Sequence, residues 1–355
     1  MSNKTLHIAY LDKFIPGFIE ILKDNFSDES HTFITFGDID KYPYQQTSNT
    51  THYPTIKSFM VLTRLAFTCH THNKIILHGL FMHQLTLLLC FMPWLHKKCL
   101  WVIWGGDLYY HKLAIKNTRY HFFEIFRRFL ISRLGGFITY VDGDYRKAQN
   151  WYGAKGVLYE SITYKSNIFS GGDLCETVIN QTAKNEAVKV NLLVGNSADQ
   201  SNNHKQIFEQ LVKLDIENGV DKIFCPLSYG NSDYAERIKN LGELMFGDKF
   251  YPLMDFMPLE QYNKILDVID IGIFAHNRQQ AMGSTINLLG RGKTVFMRTD
   301  TSAYALLTKL KIKVYALDYL SLIPQTDEVS IANNKNVRNY FSELNLVKQL
   351  KNIFG

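Results

Sequence analysis

The residues of this chain best suited to chemistry cluster in one stretch, 271–296, IGIFAHNRQQAMGSTINLLGRGKTVF. An apolar run at 271–275 leads into a polar loop at 276–280 and then to Gly283-Ser284-Thr285. An amphipathic segment with Ile286, Leu288 and Leu289 follows, then a Gly-Lys turn and a second apolar run at 294–297. The pattern is strand, polar loop, helix, strand. In an open α/β sheet such a loop lies at the carboxyl edge of the strands, where ligands bind. The helix N-terminus behind it offers unpaired N–H groups and a positive dipole end, a seat for phosphate. Arg278 adds a permanent cation whose planar fork matches phosphate oxygens. Gln279, Gln280, Gly283 and Ser284 complete the candidate anion site, although an ordinary βα loop would carry the same residue types.

Two further loops meet this one if the sheet is parallel. Gly195-Asn196-Ser197 follows an apolar run; Gly195 permits close backbone approach, and the two side chains can bond phosphate or sugar hydroxyls. In Ser228-Tyr229-Gly230, Tyr229 can stack on a base or ribose. Ser197, Asp199 or Ser201 would serve equally as a helix cap.

The first half carries Trp104-Gly105-Gly106-Asp107 after another apolar run. Asp107 either acts as general base on an acceptor hydroxyl or caps the following helix. His78, beside Gly79 at a strand tip, is a second candidate base, or a hydrogen-bonded half-buried histidine. Asp38-Ile39-Asp40 and Asp142-Gly143-Asp144 match the loose Asp-x-Asp pattern of metal-dependent transferases, but aspartates are common at turns and helix starts. No HExxH motif or Cys/His cluster is present, and no metal or cofactor is expected.

Composition sets the frame for these sites. At 355 residues the chain is expected to form two domains, each with its own core. The apolar fraction of 46% and charged fraction of 20% are those of a folded globular protein, which excludes a disordered chain. Five cysteines without a CxxC or regular framework fit a reduced thiol set in a cytoplasmic protein. The N-terminus does not read as a signal peptide, and the most apolar segment, 80–95, is too short to span a bilayer comfortably.

The net charge of +6 concentrates between His111 and Arg133, where Lys112, Lys116, Arg119, Arg127, Arg128 and Arg133 face one glutamate, Glu124. Phe122, Phe123, Phe126 and Phe129 are interleaved. Such a helix suits an anionic membrane surface, or it is a solvated helix packed on the sheet. No nucleic-acid reader motif accompanies the charge, so no nucleic-acid partner is expected.

Alternating strand and helix patterns imply βαβ units with right-handed crossovers. Strands are expected at 6–11, 32–36, 74–78, 99–104, 137–141, 188–194, 222–227, 271–275, 294–297 and 313–315. The alternation breaks at 161–187, which carries Gly171-Gly172, and the domain junction is placed there. The expected organisation is a Rossmann-like first domain over 1–165, a Rossmann-like second domain over 166–335, and a last helix in 336–355 crossing back to the first domain.

Together, VIWGGDLYY, LLVGNSADQSNNH, the Pro-Leu-Ser-Tyr-Gly segment and FAHNRQQAMGSTINLLGRGK resemble bacterial transferases of glycosyltransferase family 56. Those enzymes add 4-acetamido-4,6-dideoxygalactose (Fuc4NAc) to a lipid-linked saccharide. The likeness runs from about residue 75 to 300. It implies the GT-B fold, an α/β architecture of two Rossmann-like domains facing a central cleft. It also implies a dTDP-sugar donor and an undecaprenyl-diphosphate-linked acceptor of enterobacterial common antigen or O-antigen synthesis. Peripheral attachment to the cytoplasmic face of the inner membrane follows as well. Carried onto this chain, Gly195, Asn196, Ser197, Tyr229, Arg278, Gln279, Gln280 and Gly283 become donor-side residues, and Asp107 an acceptor-side one. The missing Glu-x7-Glu pattern of many retaining GT-B enzymes leaves phosphate neutralisation to Arg278 and the helix dipole. Two rival readings are a nucleotide-sugar 2-epimerase of the same architecture and a non-catalytic saccharide-binding or membrane scaffold protein. The first needs acidic residues around the sugar, which the loops named here lack.

Overall fold

Runs such as Leu6–Ala9, Ile75–Leu77 and Leu192–Val194 are buried along their whole length, as strands covered by helices on both faces must be. The computed structural model describes residues 4–175 and 189–355. The chain divides into two compact units, residues 1–166 with 343–355, and residues 167–342. Part of the expected junction segment, 176–188, lies outside the described residues.

Unit 1 is built on an all-parallel sheet which, among the described residues, runs β3-β2-β1-β4-β5-β6-β7. These strands are β1 (Thr5–Tyr10), β2 (His31–Phe36), β3 (Thr50–Tyr53), β4 (Lys74–His78), β5 (Cys99–Val102), β6 (Gly136–Ile138) and β7 (Val157–Tyr159). The order reverses between β1 and β4, which pair from Thr5↔Lys74 to Ala9↔His78. At such a reversal the loops diverge and leave a crevice. Helix α1 (Ile15–Asn25) opens on Pro16, whose missing N–H is not needed in a first turn, and buries Ile15, Phe18, Ile19 and Leu22. Helices α2 (Phe59–Thr71) and α3 (His83–Cys90) cover the sheet. The helix Glu343–Phe354 also belongs to this unit: Gln349 Oε1 accepts from the Ile162 amide (2.9 Å), Lys74 Nζ donates to the Ile353 carbonyl, and Phe354 packs edge-on against His31.

The helix Thr118–Ile131 departs from the reading of a solvated helix with its apolar face on the sheet. It turns its ion pair inward and several aromatics outward: Glu124 and Arg127 are buried, while Phe122, Ile125 and Phe129 are exposed. Arg127, read from the sequence as part of a basic surface, is 1% exposed. Its guanidinium donates to the Leu80 carbonyl and the Asp107 carbonyl, both at 2.8 Å, and pairs with Glu124 at 3.4 Å.

Unit 2 repeats the plan with the order β10-β9-β8-β11-β12-β13 among the described residues. Its strands are β8 (Val190–Val194), β9 (Val220–Pro226), β10 (Phe250–Leu253), β11 (Ile271–Phe274), β12 (Thr294–Met297) and β13 (Tyr315–Ala316). All pairs are parallel, and the reversal falls between β8 and β11. The loops singled out in the sequence, after β8 and after β11, therefore stand side by side at the switch point. Short edge strands β3, β7 and β10 were not expected, and the single helix expected near 337–353 is two, Asp327–Tyr340 and Glu343–Phe354.

Candidate active site

The site in unit 2 is assembled by backbone first. Gly195 leaves β8 in a left-handed conformation (φ 68°) and donates its amide to the Ile273 carbonyl of β11 (3.0 Å). Ala198 and Gly230 form an isolated parallel bridge, with Ala198 N donating to Tyr229 O (2.8 Å) and Asn231 N to Ala198 O (2.9 Å). The loops after β8, β9 and β11 thus share one set of main-chain bonds.

Side chains then lock the three loops. Gln280 Nε2 donates to Asn196 Oδ1 (2.9 Å) and Ser197 Oγ (3.2 Å), and its Oε1 faces Ser201 Oγ (2.7 Å). Asn196 Nδ2 donates to the Tyr229 hydroxyl (2.8 Å). Beneath them, Asn202 Oδ1 accepts from Asn196 N (2.9 Å) and from His276 Nε2 (2.8 Å), while its Nδ2 reaches Asp199 O and Ser197 Oγ. Because that oxygen can only accept, His276 carries its proton on Nε2. Burial first, then Arg278 and His204, pushes the His276 pKa down to about 3, so the ring stays neutral.

Arg278 lies against this floor. Its Nη2 meets Asp199 Oδ2 at 3.3 Å, and its Nε is buried without a protein partner. Burial alone would raise the Asp199 carboxyl, but the Ser201 hydroxyl and amide together with Arg278 hold it below the usual carboxylate range. The helix Met282–Gly290 starts from Ala281, a non-glycine residue at φ 56°, with no side-chain cap. Strain of that kind costs about 1–2 kcal/mol and marks a loop shaped for another purpose. The amides of the first turn, Met282 to Ser284, precede the first intrahelical bond, made by Thr285 N to Ala281 O. Ser284 Oγ is tied to Tyr262 OH (3.0 Å), and the Gln279 side chain makes no hydrogen bond among the described residues. The arrangement offers an unpaired N–H from Arg278, a row of main-chain amides and a dipole end, which together can hold a diphosphate.

The sequence reading had Asp199 and Ser201 only as caps and passed over Asn202, His204 and Tyr262. Asp199 does cap, accepting from the Ser201 amide at 2.8 Å, while also holding Arg278. The density of polar residues in NSADQSNNH is the one local sign of this floor. A Cβ added at Gly195 would lie 2.5 Å from His204 Nε2 and 2.9 Å from Asn202 Oδ1. Gly195→Ala is therefore expected to lower unit 2 stability by about 1–3 kcal/mol and to weaken nucleotide binding, read by thermal unfolding and calorimetry.

In unit 1 the two candidate bases are fully engaged. Asp107 is 1% exposed; its Oδ2 accepts from Leu80 N (2.9 Å) and Trp101 Nε1 (2.7 Å), its Oδ1 from Trp104 N (2.9 Å) and Leu108 N (2.7 Å). These are the bonds of a buried cap. Burial pushes its pKa up to about 6 against the Leu80, Trp101 and Trp104 donors and Arg127. His78 is buried with both nitrogens in use. Tyr164 OH accepts from Trp104 Nε1 (2.8 Å) and lies 2.9 Å from His78 Nδ1. His78 Nε2 is hydrogen-bonded with His7 Nδ1 (3.1 Å), and His7 Nε2 with His31 Nδ1 (3.0 Å). Burial lowers His78 to about 3. The Asp-x-Asp pairs are spent locally: Asp38 accepts from the amides of residues 40 and 41, Asp142 pairs with Arg146, and Asp144 with Lys147. Among the described residues no three His, Cys, Asp or Glu side chains come together to hold a metal.

The family model of glycosyl transferase group 56, described as 4-alpha-L-fucosyltransferase, matches residues 17–339. The chain belongs to glycosyltransferase family 56. A glycosyltransferase from Rickettsia africae ESF-5 shares the fold of this family-56 chain at 13% identity and a TM-score of 0.64, over 99% of this chain and 98% of that one. Anabaena Alr3699/HepE, solved in complex with UDP and glucose, matches at 9% identity and 0.65 over 99% of both chains. WaaG, a glycosyltransferase of lipopolysaccharide biosynthesis, matches at 12% identity and 0.60, over 99% of this chain and 98% of that one. The fold is GT-B, with two parallel-sheet α/β domains, and the family-56 chain is a glycosyltransferase. The epimerase and scaffold readings give way to that membership.

Proposed function

We propose that this family-56 transferase moves a 4-acetamido-4,6-dideoxygalactose-like sugar from a dTDP donor to an undecaprenyl-diphosphate-linked saccharide, in common-antigen or O-antigen assembly. Unit 2 holds the donor and unit 1 presents the acceptor. The observation that carries the donor assignment is the cradle at the β8/β11 switch point. There the buried, unpartnered Arg278 Nε accompanies the uncapped first turn of the helix Met282–Gly290. A structural relative solved with UDP and glucose supports a nucleotide-sugar donor. Arg278 and the helix dipole stabilise charge growing on the departing diphosphate, which is the largest effect expected in such chemistry. Calorimetry with dTDP tests the donor assignment directly: saturable binding is expected, and its absence in a folded protein overturns it. Mass spectrometry of products from a panel of dTDP- and UDP-sugars with a lipid-linked acceptor then fixes the sugar.

The same reading places the protein at the cytoplasmic face of the bacterial inner membrane as a peripheral protein. Among the described residues no helix is long and apolar enough to cross a membrane. Unit 1 instead exposes Phe59, Phe67, Phe91, Trp94, Ile115 and Ile125, with Arg64, Lys97, Lys116, Arg119, Arg128 and Arg133 also at its surface. Apolar side chains that enter the headgroup region, backed by cations, suit anionic lipid. Phe122→Asp combined with Ile125→Asp is expected to lower association with phosphatidylglycerol-containing vesicles at least ~10-fold in sedimentation. dTDP affinity should stay unchanged. Equal sedimentation of variant and wild type would remove this face from consideration.

A further inference from the structure

We propose that Gln280 is a positioning residue of the donor site: it touches no part of the nucleotide, and instead holds the loop after β11 so that Arg278 and the amides of Met282 to Ser284 face one diphosphate. The inference rests on the donor reading above and changes the part played by Gln280 within it. Both N–H bonds of its amide are spent on the loop after β8, on Asn196 Oδ1 (2.9 Å) and Ser197 Oγ (3.2 Å), and its Oε1 meets Ser201 Oγ (2.7 Å). A ligand arriving at this loop finds no donor left on that side chain.

The tie matters because of the residue that follows it. Ala281 sits at φ 56°, in the left-handed region. Asn203, in the facing loop at φ 52°, has a short polar side chain that tolerates that conformation, with its Nδ2 on Ala275 O (2.6 Å) and Asn277 Oδ1 (2.9 Å). Alanine has no such bond, and an unrestrained alanine favours the right-handed backbone by about 5- to 30-fold, equivalent to about 1–2 kcal/mol. Something outside residue 281 must therefore hold the kink. On its far side Met282 is buried, and Thr285 N makes the first intrahelical bond, to Ala281 O (2.9 Å). On its near side the last tie to the loop after β8 is Gln280. His276, Asn277 and Arg278 are bonded earlier, to Asn202 Oδ1 (2.8 Å), Ser201 O (3.2 Å) and Asp199 Oδ2 (3.3 Å).

Cutting that tie lets the segment between Arg278 and Met282 relax at Ala281, and the first-turn amides then turn away from the guanidinium. The arrangement that grips a diphosphate becomes a minor state, and apparent affinity falls in proportion to its population. A residue in contact with the ligand behaves differently. Its removal deletes one bond to the nucleotide, whatever the neighbouring backbone does.

The test is calorimetry with dTDP, together with hydrogen exchange over residues 276–290, on wild type, Gln280→Met, Ala281→Gly and the double variant. Methionine keeps the length of the side chain and loses its polar atoms. Expected for Gln280→Met are a fall in dTDP affinity of about 5- to 30-fold and faster exchange of the segment in the absence of ligand. Glycine adopts positive φ about as readily as negative, so Ala281→Gly alone should leave affinity within about 3-fold of wild type. Added to Gln280→Met, it should restore at least about half of the lost affinity on a logarithmic scale. A loss that Ala281→Gly leaves intact marks Gln280 as a ligand contact and overturns the positioning role. An affinity of Gln280→Met within about 2-fold of wild type overturns it as well. If Gln280→Met does not fold, Gln280→Asn carries the same expectations, its amide being one methylene short of Asn196 and Ser201 together. A wild-type protein that binds no dTDP overturns the donor reading itself, and the role of Gln280 with it.

Discussion

Arg278→Ala is expected to lower kcat/KM for glycosyl transfer by about 10²–10³-fold while unit 2 stays folded. The guanidinium is the one cation found in the loops that meet at the β8/β11 switch point, and its Nε is buried with nothing to bond. A buried donor left unmade costs about 1–3 kcal/mol, a cost recovered when an anionic oxygen arrives. Because negative charge on the leaving diphosphate rises along the reaction, the interaction is stronger in the transition state than in the ground state. kcat should therefore fall more than dTDP affinity does. The ion pair with Asp199 is partly exposed and contributes little to stability, so the melting temperature should move by only a few degrees. Arg278→Lys keeps the charge and loses the fork, and an intermediate rate is expected. Steady-state kinetics with calorimetry on both variants decide the matter; an alanine variant with wild-type turnover would show that the diphosphate is held elsewhere.

The largest stability loss is expected at Asp107. Truncation to alanine strips four N–H groups of their acceptor, three of them belonging to Leu80, Trp101 and Trp104. It also leaves buried Arg127 with a weakened setting, since that guanidinium grips the Asp107 carbonyl. A loss of about 3–5 kcal/mol is expected in urea unfolding of unit 1, with dTDP binding by unit 2 as the internal control. Asparagine is no safe substitute: whichever way its amide turns, an NH₂ faces N–H donors that a carboxylate oxygen had satisfied. Asp107→Asn should thus lose stability along with turnover. A variant that is stable but slow would return Asp107 to the reacting groups.

Much of this fold was legible because parallel strands covered on both faces must be apolar throughout. Ile75–Leu77, Leu192–Val194 and Ile271–Phe274 declare themselves that way. Edge strands have one neighbour and less cover, so Thr50–Tyr53 carries polar residues and Val157–Tyr159 is only three residues long, and both read as loop. The break that divides the expected last helix falls at Phe341-Ser342, where a Phe341 backbone at ψ 41° ends one helix without a glycine or proline to signal it. The loops after β8 and β11 were legible from position, as polar segments after buried strands. Arg127 was not: only contacts with Leu80 and Asp107, 47 and 20 residues away in sequence, turn a basic-looking surface residue into a buried strut.

Unit 1 is closed by a segment made long after its own sheet. Its sheet is complete by Tyr159, yet Phe26 and His31 pack on Phe354, and the Ile162 amide waits for Gln349. Unit 2, residues 167–342, is one continuous stretch of sequence. During synthesis the later-made body can therefore mature first, while the earlier one stays open along one flank until residue 354 emerges. Chaperones or a nearby lipid surface would meet unit 1 in that unfinished form, and removing Glu343–Phe354 should injure unit 1 while leaving unit 2 folded.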